Sequence, residues 1–173
     1  MGTGKTLFMV RCLVKDSWKG RNIYTNLRLN DIPSNNFDID DFLSGDSQKD
    51  LFNATIGLDE ITVYMDCRLG SSKQNLLMGY LVLQSRKRNI DIYYTTQNLD
   101  LVDYKRLVKY TNYIVYCEKT PKDDPNIRIY TFFDVYKNTF KTKIMDIRPY
   151  YSFYDTNQII EPLVKWKNKE KKP

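Results

Sequence analysis

Three short stretches of this chain carry residue types at spacings that suit one reaction. The first is Gly2-Thr3-Gly4-Lys5-Thr6. Glycine-rich backbone curls its N–H groups around phosphate oxygens, and a helix starting there aims its positive end at them. In the full phosphate-loop pattern the lysine reaches the β- and γ-phosphates, and the following hydroxyl holds magnesium. Gly2, Thr3, Gly4, Lys5 and Thr6 are therefore candidate nucleotide-binding residues, with Lys5 on the phosphates and Thr6 on the metal. The second stretch is Ala54 to Glu60, an apolar run meeting two acids. Triphosphate hydrolysis needs an acid at the end of a buried strand to hold the magnesium shell, here Asp59. It needs another to polarise the attacking water, here Glu60. The third is Gln97, the polar end of the run Ile90 to Gln97. Ligands bind at the C-terminal ends of parallel strands, where an amide can orient a water or sense the γ-phosphate. A small-molecule kinase has no use for the second acid, because its substrate brings its own hydroxyl. The expected activity is a magnesium-dependent ATPase, with ATP and Mg2+ as cofactors.

Composition narrows the chemistry further. The 173 residues include no histidine. That excludes His-based nucleophile pairs and His general acids, leaving carboxylates, Lys, Arg, amides, hydroxyls and a bound metal. Cys12, Cys67 and Cys117 are too few for an all-cysteine zinc site and read as thiols in a reducing compartment. Net charge is +6. The segment from Lys165 to Lys172 holds five lysines and one glutamate, so about four of those charges sit in a tail. Such a tail is a solvated, disordered end or an arm for a polyanion. No leader is visible, and no apolar run approaches the ~20 residues needed to span a bilayer. The expectation is a soluble, cytoplasmic protein.

The elements that must position these residues alternate. Leu7, Val10, Leu13 and Val14 predict a helix after the glycines. Asn22 to Leu27 reads as a strand, and the polar stretch that follows as a surface insertion with a helical turn around Asp40 to Leu43. Ala54 to Leu58 reads as a strand. A helix follows, capped by Ser72, with Leu76, Leu77, Tyr80, Leu81 and Leu83 on one face. Ile90 to Gln97 is a strand, Leu101 to Tyr110 a short helix, and Tyr113 to Lys119 a strand. Alternation of this kind marks an α/β fold with a mostly parallel sheet flanked by helices. After Asn126, two β-rich runs around Lys137-Asn138 predict an antiparallel hairpin. Its Tyr and Phe residues suit a core face better than a base-stacking surface. The expected organisation is a P-loop core over 1–120, an antiparallel β extension over 121–163, and a basic tail over 164–173.

The set "GTGKT", "IGLDE", "MDCR" and "LQSRKRNIDIYYTTQ" resembles the FtsK–HerA branch of P-loop ATPases, a RecA-like fold. More closely it resembles the zona occludens toxin-like group of filamentous phages and archaeal viruses and plasmids. The resemblance covers about Met1 to Lys119, and the ending "YDTNQII" is similar too. It implies a DNA-translocating or genome-packaging motor working as an oligomeric ring, a hexamer first of all, on double-stranded DNA and with a capsid or assembly protein as a further partner. It also implies an arginine inserted into the neighbouring subunit's site. Alignment of the terminal glutamine with Gln97 places that arginine at Arg86, with Arg88 and Arg68 as alternatives. Phage members carry a membrane helix; none is read here. Two other readings stay open: a morphogenesis or secretion ATPase that moves protein, and a non-catalytic P-loop remnant serving assembly. In this fold the strand feeding the loop is central and flanked on both sides. The expectation is that it lies upstream of Met1 in a longer reading frame, and that without it the sheet is split.

Overall fold

The computed structural model describes residues 2–39, 51–120, 124–155, 158 and 160. The expected turn near Asp40 and the lysine-rich tail lie outside them. In chain order the elements are α1 (Lys5–Ser17), β1 (Asn22–Thr25), β2 (Asn35–Asn36), β3 (Ala54–Leu58), α2 (Lys73–Ser85), β4 (Asp91–Tyr94), β5 (Tyr113–Lys119), β6 (Ile127–Asp134) and β7 (Thr139–Asp146). Strands β2-β1-β3-β4 form one parallel sheet in that order. Strands β5-β6-β7 form a second, antiparallel sheet. This is the mixed α/β architecture the alternation predicts. Among the described residues, no helix is long and apolar enough to cross a membrane.

Every residue of β3 is buried, as expected of a central strand covered on both faces. On one face α1 lays down Met9, Val10, Leu13 and Val14 with Ile23 and Leu27. On the other, Met78 and Leu81 of α2 pack with Ile56, Leu58, Ile61 and Met65. The second sheet reaches α1 through Leu7 and Phe8, which meet Tyr130 and Phe132 of β6. Tyr130 is fully buried, so this tyrosine does fill a core.

Three expectations change. The buried side of α2 is Asn75, Met78, Gly79 and Leu81, whereas Leu76, Tyr80 and Leu83 are about half exposed at 52%, 49% and 55%. The helix turns its small residue Gly79 inward, because a Cβ there would lie 3.0 Å from Arg106 Cδ. The short helix expected after Gln97 is two single 3₁₀ turns, Leu99–Leu101 and Val108–Tyr110. β5 does not join the parallel sheet but pairs antiparallel with β6.

Among the described residues β4 pairs on one edge only, with β3, and β5 only with β6. Between them runs a cleft of about 1050 Å³ that reaches Lys5 and Phe8.

The crossing of α1 over β3 is tight. A Cβ on Gly57 would lie 2.6 Å from Leu13 Cδ1 and 2.8 Å from Leu13 Cδ2. Overpacking of this kind costs about 1–3 kcal/mol. Gly57→Ala should therefore lower the urea midpoint accordingly, and Leu13→Val in the same chain should restore part of it. A Gly57→Ala protein that unfolds at the parental midpoint would show that the helix does not sit this close.

Candidate active site

The glycines lead into α1 as irregular chain, and Gly4 is its N-cap with φ 96° and ψ 18°. Only glycine takes this left-handed conformation without strain. No side chain caps the helix start, so its first N–H groups are left facing outward, as an anion site requires. Lys5 opens the helix and makes no ion pair among the described residues.

Thr6, one residue into the helix, meets the end of β3. Its Oγ1 donates to Asp59 Oδ1 at 2.9 Å. The same carboxylate oxygen accepts from Thr95 Oγ1 at 2.6 Å. Thr95 sits just past β4, and its hydroxyl in turn accepts from the Glu60 N–H at 3.0 Å. The two strands stay zipped past their ends, with Thr95 N–H donating to the Leu58 carbonyl and Ile61 N–H to the Thr95 carbonyl. Glu60 is held at φ 50°, ψ 61°, an unusual conformation for a residue with a side chain. There its carboxylate accepts from Gln97 Nε2 at 3.2 Å. The structure thus brings together Gly4, Lys5, Thr6, Asp59, Glu60 and Gln97 at the C-terminal edge of the parallel sheet.

Two residues of this arrangement were not picked out from the sequence. Thr95 was passed over in favour of Gln97 in the same Thr-Thr-Gln run. Asn26, just beyond β1, brackets Asp59 by accepting from its N–H at 2.9 Å and donating Nδ2 to its carbonyl at 2.9 Å. The backbone of that loop is pinned from the far end of the chain. Gln158 donates Nε2 to the Asn26 carbonyl at 3.2 Å and accepts from Arg28 N–H at 2.8 Å. Asn30 reaches the Phe153 and Ser152 carbonyls.

The candidate arginines lie elsewhere. Arg86 is exposed in the turn Arg86–Arg88, which precedes β4 and so sits at the opposite strand end from Thr95. Arg88 stacks over Phe52. Arg68 is tied to Asp66 by an ion pair two residues away. None of the three joins the site of its own chain.

No family model matches the sequence, and neither does any curated protein. Among solved structures, the N-terminal domain of zonular occludens toxin from Neisseria meningitidis matches with a TM-score of 0.66. Identity is 18%, and the match covers 89% of this chain and 94% of that one. The likeness is one of fold, and the site stands on its own geometry.

That geometry fits a magnesium nucleotide. Gly4 and the uncapped start of α1 suit an anion, and Thr6 Oγ1 and Asp59 Oδ1 are hard oxygen donors. Magnesium uses one or two carboxylates and keeps several waters. Burial pushes the Asp59 carboxyl above its usual value of 3.8, against the lowering pull of the Thr95 and Thr6 hydroxyls.

The raised carboxyl has a measurable sign. Between 3.8 and its folded value, Asp59 binds its proton more tightly folded than unfolded. Folding stability drawn from this group is complete below 3.8, falls as pH rises through that window, and stays reduced above it. Asp59→Asn keeps an oxygen for both threonines and removes the buried charge. Without nucleotide or metal it should melt above the parent at pH 7, with the gap closing towards pH 4. An Asp59→Asn protein that melts below the parent at pH 7 would contradict this account.

Proposed function

We propose that this chain is a magnesium-dependent ATPase that drives DNA translocation or packaging as an oligomeric ring of viral or plasmid type. The observation that carries the ATPase reading is the contact of Thr6 with Asp59 at 2.9 Å beneath an uncapped glycine loop. The distance between those residues in sequence, 53 positions, makes chance juxtaposition of this donor set a poor explanation.

In this reading Gly2, Thr3 and Gly4 offer backbone N–H groups to the phosphates, and Lys5 reaches the β- and γ-oxygens from α1. Thr6 and Asp59 would hold the metal, which when bound would supply charge neutralisation at the phosphate oxygens. Glu60 accepts the proton of the attacking water and Gln97 orients that water. Their mutual hydrogen bond keeps the base turned towards the amide until a substrate competes for it.

Arg86 is the arginine for a neighbouring subunit. It lies at the strand end away from its own site, exposed and with no side-chain hydrogen bond or ion pair among the described residues. Arg68 has its guanidinium committed to Asp66. DNA as the cargo rests on the resemblance of the motif set and on the net charge of +6. A ring with six members, host cytoplasm as the location and a capsid or assembly protein as partner follow from the same resemblance. A second reading, an ATPase that moves protein, draws on the fold likeness to a toxin domain.

Lys5→Ala should abolish binding of a fluorescent ATP analogue. Glu60→Gln should bind as the parent does and lose turnover by roughly 10²–10⁴-fold; parental hydrolysis would remove Glu60 from its role. Double-stranded DNA should stimulate hydrolysis, and a flat response over a range of DNA lengths favours the protein-moving reading. Arg86→Ala should cost roughly 10³-fold in rate, and subunits with an intact Arg86 should rescue it in mixed rings. Absence of rescue moves the role to Arg88 or Arg68.

A further inference from the structure

Among the described residues, Arg21 pairs with Asp91, Arg68 with Asp66, Arg106 with Asp103, and Arg148 with Asp146. Arg128 on β6 has no such pair among them. It is 4% exposed, and its one side-chain hydrogen bond among the described residues runs from Nη1 to the adjoining Ile127 carbonyl at 2.8 Å. Its Nε is buried with no partner. A guanidinium stays charged at any ordinary pH, and burying it without an anion is costly.

Arg128 and Tyr130 alternate onto the same face of β6 and press on the glycine loop. A Cβ on Gly4 would lie 3.3 Å from Arg128 Cγ and 3.1 Å from Tyr130 Oη, and that hydroxyl donates to the Gly4 carbonyl at 3.4 Å. The Arg128 side chain, with its unpartnered Nε, therefore packs against the uncapped start of α1, where phosphate is expected.

We propose that Arg128 is a phosphate-binding residue of the nucleotide site, supplied by the antiparallel sheet of the same chain. Nε and the free Nη group form a planar fork suited to two phosphate oxygens. Lys5 approaches the polyphosphate from α1 as a point charge, and Arg128 approaches from β6. The second sheet thereby becomes part of the site, and Gly4 is glycine partly because Arg128 and Tyr130 occupy the space of a side chain. The inference rests on the nucleotide reading given above.

The test measures melting without ligand and affinity for the Mg2+ complex of ATPγS on the full chain, for the parent, Arg128→Met, Arg128→Lys and Lys5→Ala. Arg128→Met removes an unpaired buried charge but keeps the length, so it should melt at or above the parent. Its affinity should fall roughly 10–100-fold, the range of a hydrogen bond to a charged group. Arg128→Lys should recover part of that loss. Parental affinity in Arg128→Met, with binding lost in Lys5→Ala, overturns the assignment and leaves the nucleotide reading standing. Melting of Arg128→Met well below the parent also overturns it, because the guanidinium would then have a structural anion. Absence of nucleotide binding by the parent overturns both.

Discussion

One carboxylate oxygen organises this molecule. Asp59 Oδ1 accepts hydroxyls from α1 and from the end of β4 at once, so helix and strand are fixed relative to each other through the acid between them. The arrangement depends on register. Leu58 pairs with Tyr94, which brings Asp59 level with Thr95. A slip of one residue would turn Thr95 to the other face of the sheet. It depends equally on Gly57, whose missing side chain lets Leu13 and the whole of α1 settle onto β3.

The other end of α1 is held by a second buried acid. Asp16 accepts from Lys19, from Thr55 of β3 and from Tyr93 of β4. Beside it Arg21 donates to Thr55 and to the carbonyls of Ala54 and Asn89. Thus α1 is bolted to β3 and β4 at both ends by polar contacts, with an apolar seam between them. A helix fixed in this way cannot rotate without breaking hydrogen bonds to both strands.

The glycine loop, the acid pair and the glutamine are legible in the sequence because each is a contiguous signature whose chemistry is local, although β4 ends at Tyr94 and Gln97 stands in the loop beyond it. Thr95 and Asn26 are not, because their value comes from which strand end they face, and that is decided by pairing between distant segments. The buried side of α2 defeats periodicity for a related reason. Its leucines outnumber its small residues, yet Arg106 demands a glycine beneath it, and three large apolar groups are left facing out. β5 carries the same alternating apolar pattern as the parallel strands, and only its antiparallel partnership with β6 separates it from them. Arg128 stands within a run of β-formers and looks like any solvent-facing residue of a strand until the helix start is laid beside it.

The pinning of the Asn26 loop by Gln158, 132 positions away, carries a consequence for how the chain reaches its native form. Contacts of such span are slow to close, since the entropy of the intervening loop must be overcome first. The bracket around Asp59 is therefore completed only when the segment carrying Gln158 docks. A chain whose synthesis has not yet passed Gln158 lacks the contact that pins the Asn26 loop against Asp59.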